Sequence, residues 1–203
     1  MNPTLNIKAI LELLNQILLT KYKIRKLVKK KRMNLSKEEL KSISAQIISR
    51  LHDEFYLKSK TINIFLPIER FNEINLSPLL NSKFLFKVGI NKSNFVKSEL
   101  TSYLYSDSRQ IRVNKYGIPE PQYGSILKPI DFDLVLVPLL AFDDKGYRVG
   151  YGKGFYDHFL SQCSKRCHFI GVNHFSDAMQ ISDIANHDIP LDCVITPEKI
   201  IRF

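Results

Sequence analysis

The segment Leu134-Val-Leu-Val-Pro-Leu-Leu-Ala-Phe-Asp-Asp-Lys-Gly-Tyr-Arg-Val-Gly-Tyr-Gly-Lys-Gly-Phe-Tyr-Asp157 opens with four aliphatic residues in succession. Without polar alternation, 134–137 reads as a strand buried on both faces, the pattern of a parallel sheet covered by helices on either side. The strand closes at Pro138 and leads to a loop with glycine at 150, 152 and 154. Glycine is entropically costly, so three so close together point to unusual dihedrals or to a backbone that approaches a ligand. A helix follows, carrying Phe155, Phe159 and Leu160 at helical spacing. Arg148 and Lys153 add cations, and exposed amides at a helix start complete a phosphate cradle. In parallel α/β sheets, ligands sit just beyond the strands' C-terminal ends, where this loop lies. It fits neither the Walker nor the Rossmann glycine spacing, and a turn that merely packs tightly is the competing reading.

Further strands are predicted on both sides. Thr61-Ile-Asn-Ile-Phe-Leu66, closed by Pro67, is one, and Phe84-Leu-Phe-Lys-Val88 is another. Residues 95–105 suggest one or two weaker strands, Phe169-Ile-Gly-Val172 a buried one, and Val194-Ile-Thr196 the last. Helices are predicted over Ile7 to Leu18, after the capping box Ser36-Lys-Glu-Glu39, and from Ser77-Pro78. Alternating strands and helices predict a three-layer α/β/α sandwich around a mainly parallel sheet. No repeat or linker interrupts the chain, so 1–203 reads as a single domain with 1–20 as an N-terminal helical extension.

The charge is unevenly placed. Residues 1–60 hold 14 Lys/Arg against 5 Asp/Glu, whereas 61–203 hold 16 against 15, so the net +10 belongs to the N-terminal stretch. Eight of the twelve residues in 21–32 are basic, a run that attracts polyanions or simply solvates one helix face. Lys8, Glu12, Asn15 and Gln16 interrupt the apolar stretch 5–20, which falls short of a membrane span and lacks the order of a signal peptide. Three cysteines are too few for a disulfide framework, and Cys163 and Cys167, four apart on a helix face, suit packing. A reduced, cytoplasmic protein is the expectation.

Asp157, just inside the helix after the glycines, and Asp188, in a late acidic loop, would suit Mg²⁺ beside phosphate oxygens. Helix-dipole stabilisation and loop solvation explain them equally well. Glu73, in a strand-to-helix loop, reads on its own as a surface residue. His158, His168, His174 and His187 form no ligand pattern.

Taken together, Pro138-Leu-Leu-Ala-Phe-Asp143, Gly146 and Arg148-Val-Gly-Tyr-Gly-Lys-Gly-Phe-Tyr-Asp157 closely resemble the signature of the 5-formyltetrahydrofolate cyclo-ligase (methenyltetrahydrofolate synthetase) family. Four further segments match in order: Lys21-Tyr-Lys-Ile-Arg25 with Leu35-Ser-Lys-Glu-Glu39, then Glu73-Ile-Asn75, Gly117-Ile-Pro-Glu-Pro121, and the stretch from Asp188 to Thr196. The resemblance implies a fold like that of sugar-phosphate isomerases and CoA transferases. It also implies a Mg²⁺- and ATP-dependent cyclisation of 5-formyltetrahydrofolate to 5,10-methenyltetrahydrofolate, releasing ADP and phosphate. ATP would phosphorylate the formyl oxygen, a poor leaving group by itself, and N10 would attack the activated carbon.

By the same resemblance, Lys21, Tyr22, Lys23, Ile24 and Arg25 contact ATP, as does the run Arg148, Val149, Gly150, Tyr151, Gly152, Lys153, Gly154, Phe155 and Tyr156. Tyr151 to Phe155 also face the folate, with Leu66 and Glu73 completing that side. Lys153, Arg148 and Tyr151 are the implied catalytic residues, and Asp157 and Asp188 the implied metal ligands. Small-molecule substrates and a monomer are implied, with no nucleic acid or membrane as partner. The family pattern is departed from at the long start before residue 20, at Leu76 in place of threonine, and at Phe155 in place of tyrosine. A nucleic-acid module using 21–32, or an isomerase or CoA transferase, are the rival readings, and neither rival consumes ATP.

Overall fold

Leu134 and Leu136 lie on one face of the central sheet, Val135 and Val137 on the other, and all four are buried. The computed structural model describes residues 19–82 and 85–203, and within them this strand, β7 (Leu134–Pro138), is flanked by neighbours on both edges. The expected helix over Ile7 to Leu18 lies outside the described residues.

The other sheet strands are β1 (Thr61–Ile64), β2 (Lys87–Asn94), β3 (Glu99–Leu104), β6 (Ile126–Leu127), β10 (His168–Val172), β11 (Cys193–Ile195) and β12 (Ile200–Arg202). They form one sheet in the order β12-β11-β10-β7-β1-β2-β3-β6. The five central strands are parallel, and β12, β3 and β6 pair antiparallel at the edges. Two short hairpins stand apart, β4 (Ile111–Val113) with β5 (Pro119–Pro121), and β8 (Ala141–Phe142) with β9 (Arg148–Val149).

Among the described residues there are three α-helices, two of which cover this sheet. Helix α1 (Lys21–Met33) starts at Thr20, whose hydroxyl accepts the Lys23 amide. Helix α2 (Lys37–Glu54) starts with the predicted capping box: Ser36 and Glu39 each accept the other's main-chain N–H, a device worth about 1 kcal/mol. Its Ile47 and Leu51 pack on Ile62, Ile64, Leu134 and Leu136 on one face of the sheet. On the opposite face, Phe159 and Leu160 of α3 (Phe155–Leu160) pack on Val135 and Val137. Ile24 and Val28 of α1 form a third cluster with Leu140, Ala141, Val149 and Ile181, which fastens α1 to the β8–β9 hairpin beyond the end of β7.

Several sequence expectations shift. The strand placed at 84–88 begins at Lys87 and runs on to Asn94, and the element after Ser77-Pro78 is a 3₁₀ helix, Ser77–Ser82. The strand at 193–195 is not the last. Thr196 and Lys199 close a turn, and β12 returns beside it with Ile200 and Ile201 half-buried. Helix α3 ends at Leu160, so Cys163 and Cys167 lie beyond it and share no helix face; Cys167 is nonetheless buried against the α3 side of the core.

Candidate active site

A cavity of about 470 Å³ opens where α1, the glycine loop and the segments following β1 and β7 meet. It lies beyond the C-terminal end of the central strands, where a parallel sheet's connections diverge and leave room for a ligand.

One wall is the glycine loop. Gly152 (φ +90°) and Gly154 (φ +69°) both hold left-handed backbone, which side chains with a Cβ rarely adopt. A Cβ on Gly152 would also stand 3.1 Å from the Arg25 guanidinium, so the loop passes close against α1. The Arg25 Nε donates to the Gly150 carbonyl at 2.8 Å and fixes that approach. Gly154 precedes a helix of only six residues with no side-chain cap, so the cations around the loop, more than a helix dipole, provide attraction for an anion. Lys153 is exposed at the loop's tip and lines the cavity.

Helix α1 contributes by periodicity. Lys21, Arg25 and Lys29, spaced by one helical turn, face the cavity. Ile24 points the other way into the third core cluster with Val149, while Tyr22 and Lys23 face solvent. Of the fourteen residues expected around ATP, these four therefore do not line the cavity. A continuous run was expected, whereas a helix presents only every third or fourth side chain to one side. Lys29 was absent from the expectation, although its spacing from Lys21 and Arg25 was a usable signal.

The acidic residues arrive from the opposite side. Asp188 pairs with the Lys21 ammonium and accepts the Ala185 amide. Burial pushes its carboxyl up, but Lys21, the Ala185 amide and His187 outweigh that and leave it below its ordinary value. Asp157 accepts from Arg148 Nη2 at 2.7 Å and from the Ile189 amide at 3.2 Å, both on Oδ1. Arg148 is buried and also donates to the Ile189 carbonyl, so its guanidinium holds Asp157 at the cavity wall. Burial lowers the Arg148 pKa, against the opposing pull of Asp157, Asp188 and Tyr156. Among the described residues, no three acidic, histidine or cysteine side chains gather as a self-sufficient metal site. Two carboxylates on one cavity wall do suit Mg²⁺ arriving with phosphates, because that ion keeps its waters and needs only one or two protein ligands.

Glu73 is 8% exposed, not the surface residue its sequence context suggested. It follows the 3₁₀ turn Glu69–Phe71, and its Oε2 accepts the Ile68 amide at 2.8 Å. Burial raises its pKa, against the hydrogen bonds from Tyr151 and Ile68 and the charge of Arg32. Burial and the nearby Glu73 charge push the Tyr151 phenol far up, so it stays protonated beside Glu73, while Arg32 Nη1 donates to the phenol oxygen at 3.2 Å. The Tyr151 ring stacks on Phe71, centroids 5.3 Å apart, and the Lys29 ammonium lies 5.3 Å from its centroid. Leu66, following β1, supplies apolar lining nearby. Across the cavity Phe155 packs edge-on to Phe95, which also touches Tyr116, making an aromatic wall. The Tyr156 phenol, held protonated by burial, accepts from Asn91 at 3.4 Å. Arg32 and Phe71 were likewise not anticipated; an arginine inside a basic run carries no sign of burial in its local sequence.

The model of the 5-formyltetrahydrofolate cyclo-ligase family matches residues 19–197. A probable 5-formyltetrahydrofolate cyclo-ligase from Schizosaccharomyces pombe is 27% identical, over 84% of this chain and 99% of its own. The 5-formyltetrahydrofolate cyclo-ligase of Escherichia coli K12 is 25% identical, over 86% of this chain and 98% of its own. Among solved structures, the 5,10-methenyltetrahydrofolate synthetase of Aquifex aeolicus superposes with a TM-score of 0.75 at 32% identity, covering 91% of this chain and 93% of its own.

Proposed function

Because the chain belongs to the 5-formyltetrahydrofolate cyclo-ligase family, we propose that it cyclises 5-formyltetrahydrofolate to 5,10-methenyltetrahydrofolate at the expense of ATP. The observation that carries this reading is the convergence of three elements on one cavity: the cationic row of α1, the glycine loop, and Glu73 beneath Tyr151. Triphosphate is accommodated by Lys21, Arg25, Lys29 and Lys153 with the amides of the glycine loop. Asp157 and Asp188 would hold a Mg²⁺ ion carried in with the nucleotide, which neutralises phosphate charge.

The folate lies between the aromatic wall and Leu66, with Glu73 directed at the ring nitrogen region that bears the formyl group. Here the γ-phosphoryl group passes to the formyl oxygen and ADP departs. N10 attacks the activated carbon and gives up its proton to the departing phosphate as the carbon–oxygen bond breaks. The residues' task is placement and charge stabilisation, because the reacting bonds all belong to the substrates. Lys21 must leave Asp188 for phosphate when the nucleotide enters, which frees that carboxylate for the cation. The three free thiols favour a reducing compartment such as the cytoplasm. Among the described residues no helix is long and apolar enough to cross a membrane.

The test is direct. Purified protein with 5-formyltetrahydrofolate and Mg²⁺ should generate the near-ultraviolet absorbance of the methenyl product only when ATP is added. Folded protein that makes no product beside an active control enzyme overturns the reading.

A further inference from the structure

Arg32 is the last arginine of α1, and it is 2% exposed although seven other basic residues surround it in sequence. Its Nη2 donates to the Leu139 carbonyl just beyond β7, and its Nη1 to the Tyr151 phenol at 3.2 Å. Its Nε is buried without a partner among the described residues. The main-chain carbonyl of Arg32 accepts from Asn72 Nδ2 at 3.0 Å. Asn72 sits in left-handed backbone (φ 47°) between Phe71 and Glu73, and its own carbonyl accepts from His174 Nε2 at 2.8 Å. Burial first, and then the Arg32 charge, lower the His174 pKa to about 3, so this histidine is a neutral donor at physiological pH. The buried positive charge at this junction therefore belongs to Arg32. Burying a guanidinium is costly, and replacing such groups by apolar residues often stabilises a fold. A packing role alone does not account for it, whereas its contacts reach both segments that carry the proposed folate contacts.

We propose that Arg32 is a positioning residue for the folate: its guanidinium fixes the Tyr151 hydroxyl toward Glu73, and its carbonyl fixes the Glu73 segment through Asn72. This rests on the cyclo-ligase reading above. Arg32 touches no reacting atom. Without it, the phenol loses the donor that holds it beside Glu73, and the carboxylate loses a nearby cation.

The experiment measures steady-state kinetics against each substrate for Arg32→Lys, Arg32→Met and Tyr151→Phe, alongside thermal unfolding. Lysine keeps the charge but cannot form two divergent hydrogen bonds from one plane. For Arg32→Met and Tyr151→Phe, kcat/KM for 5-formyltetrahydrofolate is expected to fall about 10- to 100-fold, the scale of one charge-assisted hydrogen bond. KM for ATP should change by less than about threefold, and Arg32→Lys should retain more activity than Arg32→Met. Because the two groups act through one another, Arg32→Lys combined with Tyr151→Phe should lose no more than the worse single variant. If Arg32→Met does not fold, Arg32→Lys and Tyr151→Phe decide the matter.

A lowered melting temperature with kcat/KM for 5-formyltetrahydrofolate unchanged, or full folate kinetics in Tyr151→Phe, overturns the proposal while leaving the cyclo-ligase reading intact. A wild-type protein that forms no product overturns both.

Discussion

Glu73 and Lys153 illustrate opposite relations between function and stability. Glu73 is buried, and burial raises its pKa, so its ionised form costs the fold free energy. For a carboxyl raised in this way, the folded state gains most while the group is protonated. That advantage is lost as pH rises through the folded pKa. Glu73→Gln resembles the protonated side chain and keeps an acceptor for the Ile68 amide. It should therefore melt at a higher temperature than the wild type at neutral pH, and the gap should close on acidification. Arg32 from α1 and Tyr151 from the glycine loop are the groups that pull against the shift, and Tyr156 from α3 also feels the Glu73 charge. The same variant should lose folate turnover, and melting curves at pH 4 and pH 7.5 check the first half of the expectation. Lys153 is exposed at the tip of the glycine loop, so Lys153→Ala should alter stability by less than about 0.5 kcal/mol. Its kcat/KM should nevertheless drop about 100-fold or more, as expected when a cation beside a transferring phosphoryl group is removed. Equal losses of stability and turnover would remove Lys153 from the phosphate site.

At the scale of elements, α1 carries the sharpest prediction, because one helix bears eight basic residues and only part of it faces the cavity. Lys29→Ala should weaken Mg²⁺-ATP binding by about 10-fold, whereas Lys26→Ala, on the outer face, should leave it within about twofold. Titration calorimetry at fixed ionic strength distinguishes them, and equal losses would mean that the helix acts only through net charge. The elements also divide what the residues disclose from what they conceal. β7 was legible because four apolar residues in a row admit little but a strand covered on both sides, and α2 because its capping box is a local signal. The glycine loop announced itself through composition. By contrast β12 has only three residues and follows a turn closed by Thr196 and Lys199, a pairing that exists only once β11 is in place. The same holds for Arg32 and Glu73: their burial depends on partners more than 35 residues away, Leu139 and Tyr151, and nothing near them in the chain marks it. The family resemblance implied a folate contact at Glu73, where local reasoning read a surface residue, and the side chain is buried at the cavity. Of the five consecutive residues the resemblance implied along α1, only Lys21 and Arg25 line the cavity, because a helix turns their neighbours to other sides.

For the whole molecule, the arrangement is a division of labour across one sheet. The apolar interior is complete on both faces of the five parallel strands, so stability is vested in the sheet and its covering helices. The cavity lies at the C-terminal end, where α1 is fastened over the β8–β9 hairpin by its own small cluster. That cluster lets the basic helix serve as a wall of the cavity without sharing the main core. In the proposed reaction nucleotide and folate meet in this cavity and react together, so each turnover must couple their fates. The most direct test is to measure ADP and methenyl product formed by the purified protein in the same reaction vessel, with Mg²⁺ and both substrates present. Equal amounts of the two, with neither accumulating when either substrate is omitted, are predicted. Product formed without ATP, or ADP released without product, would contradict the account.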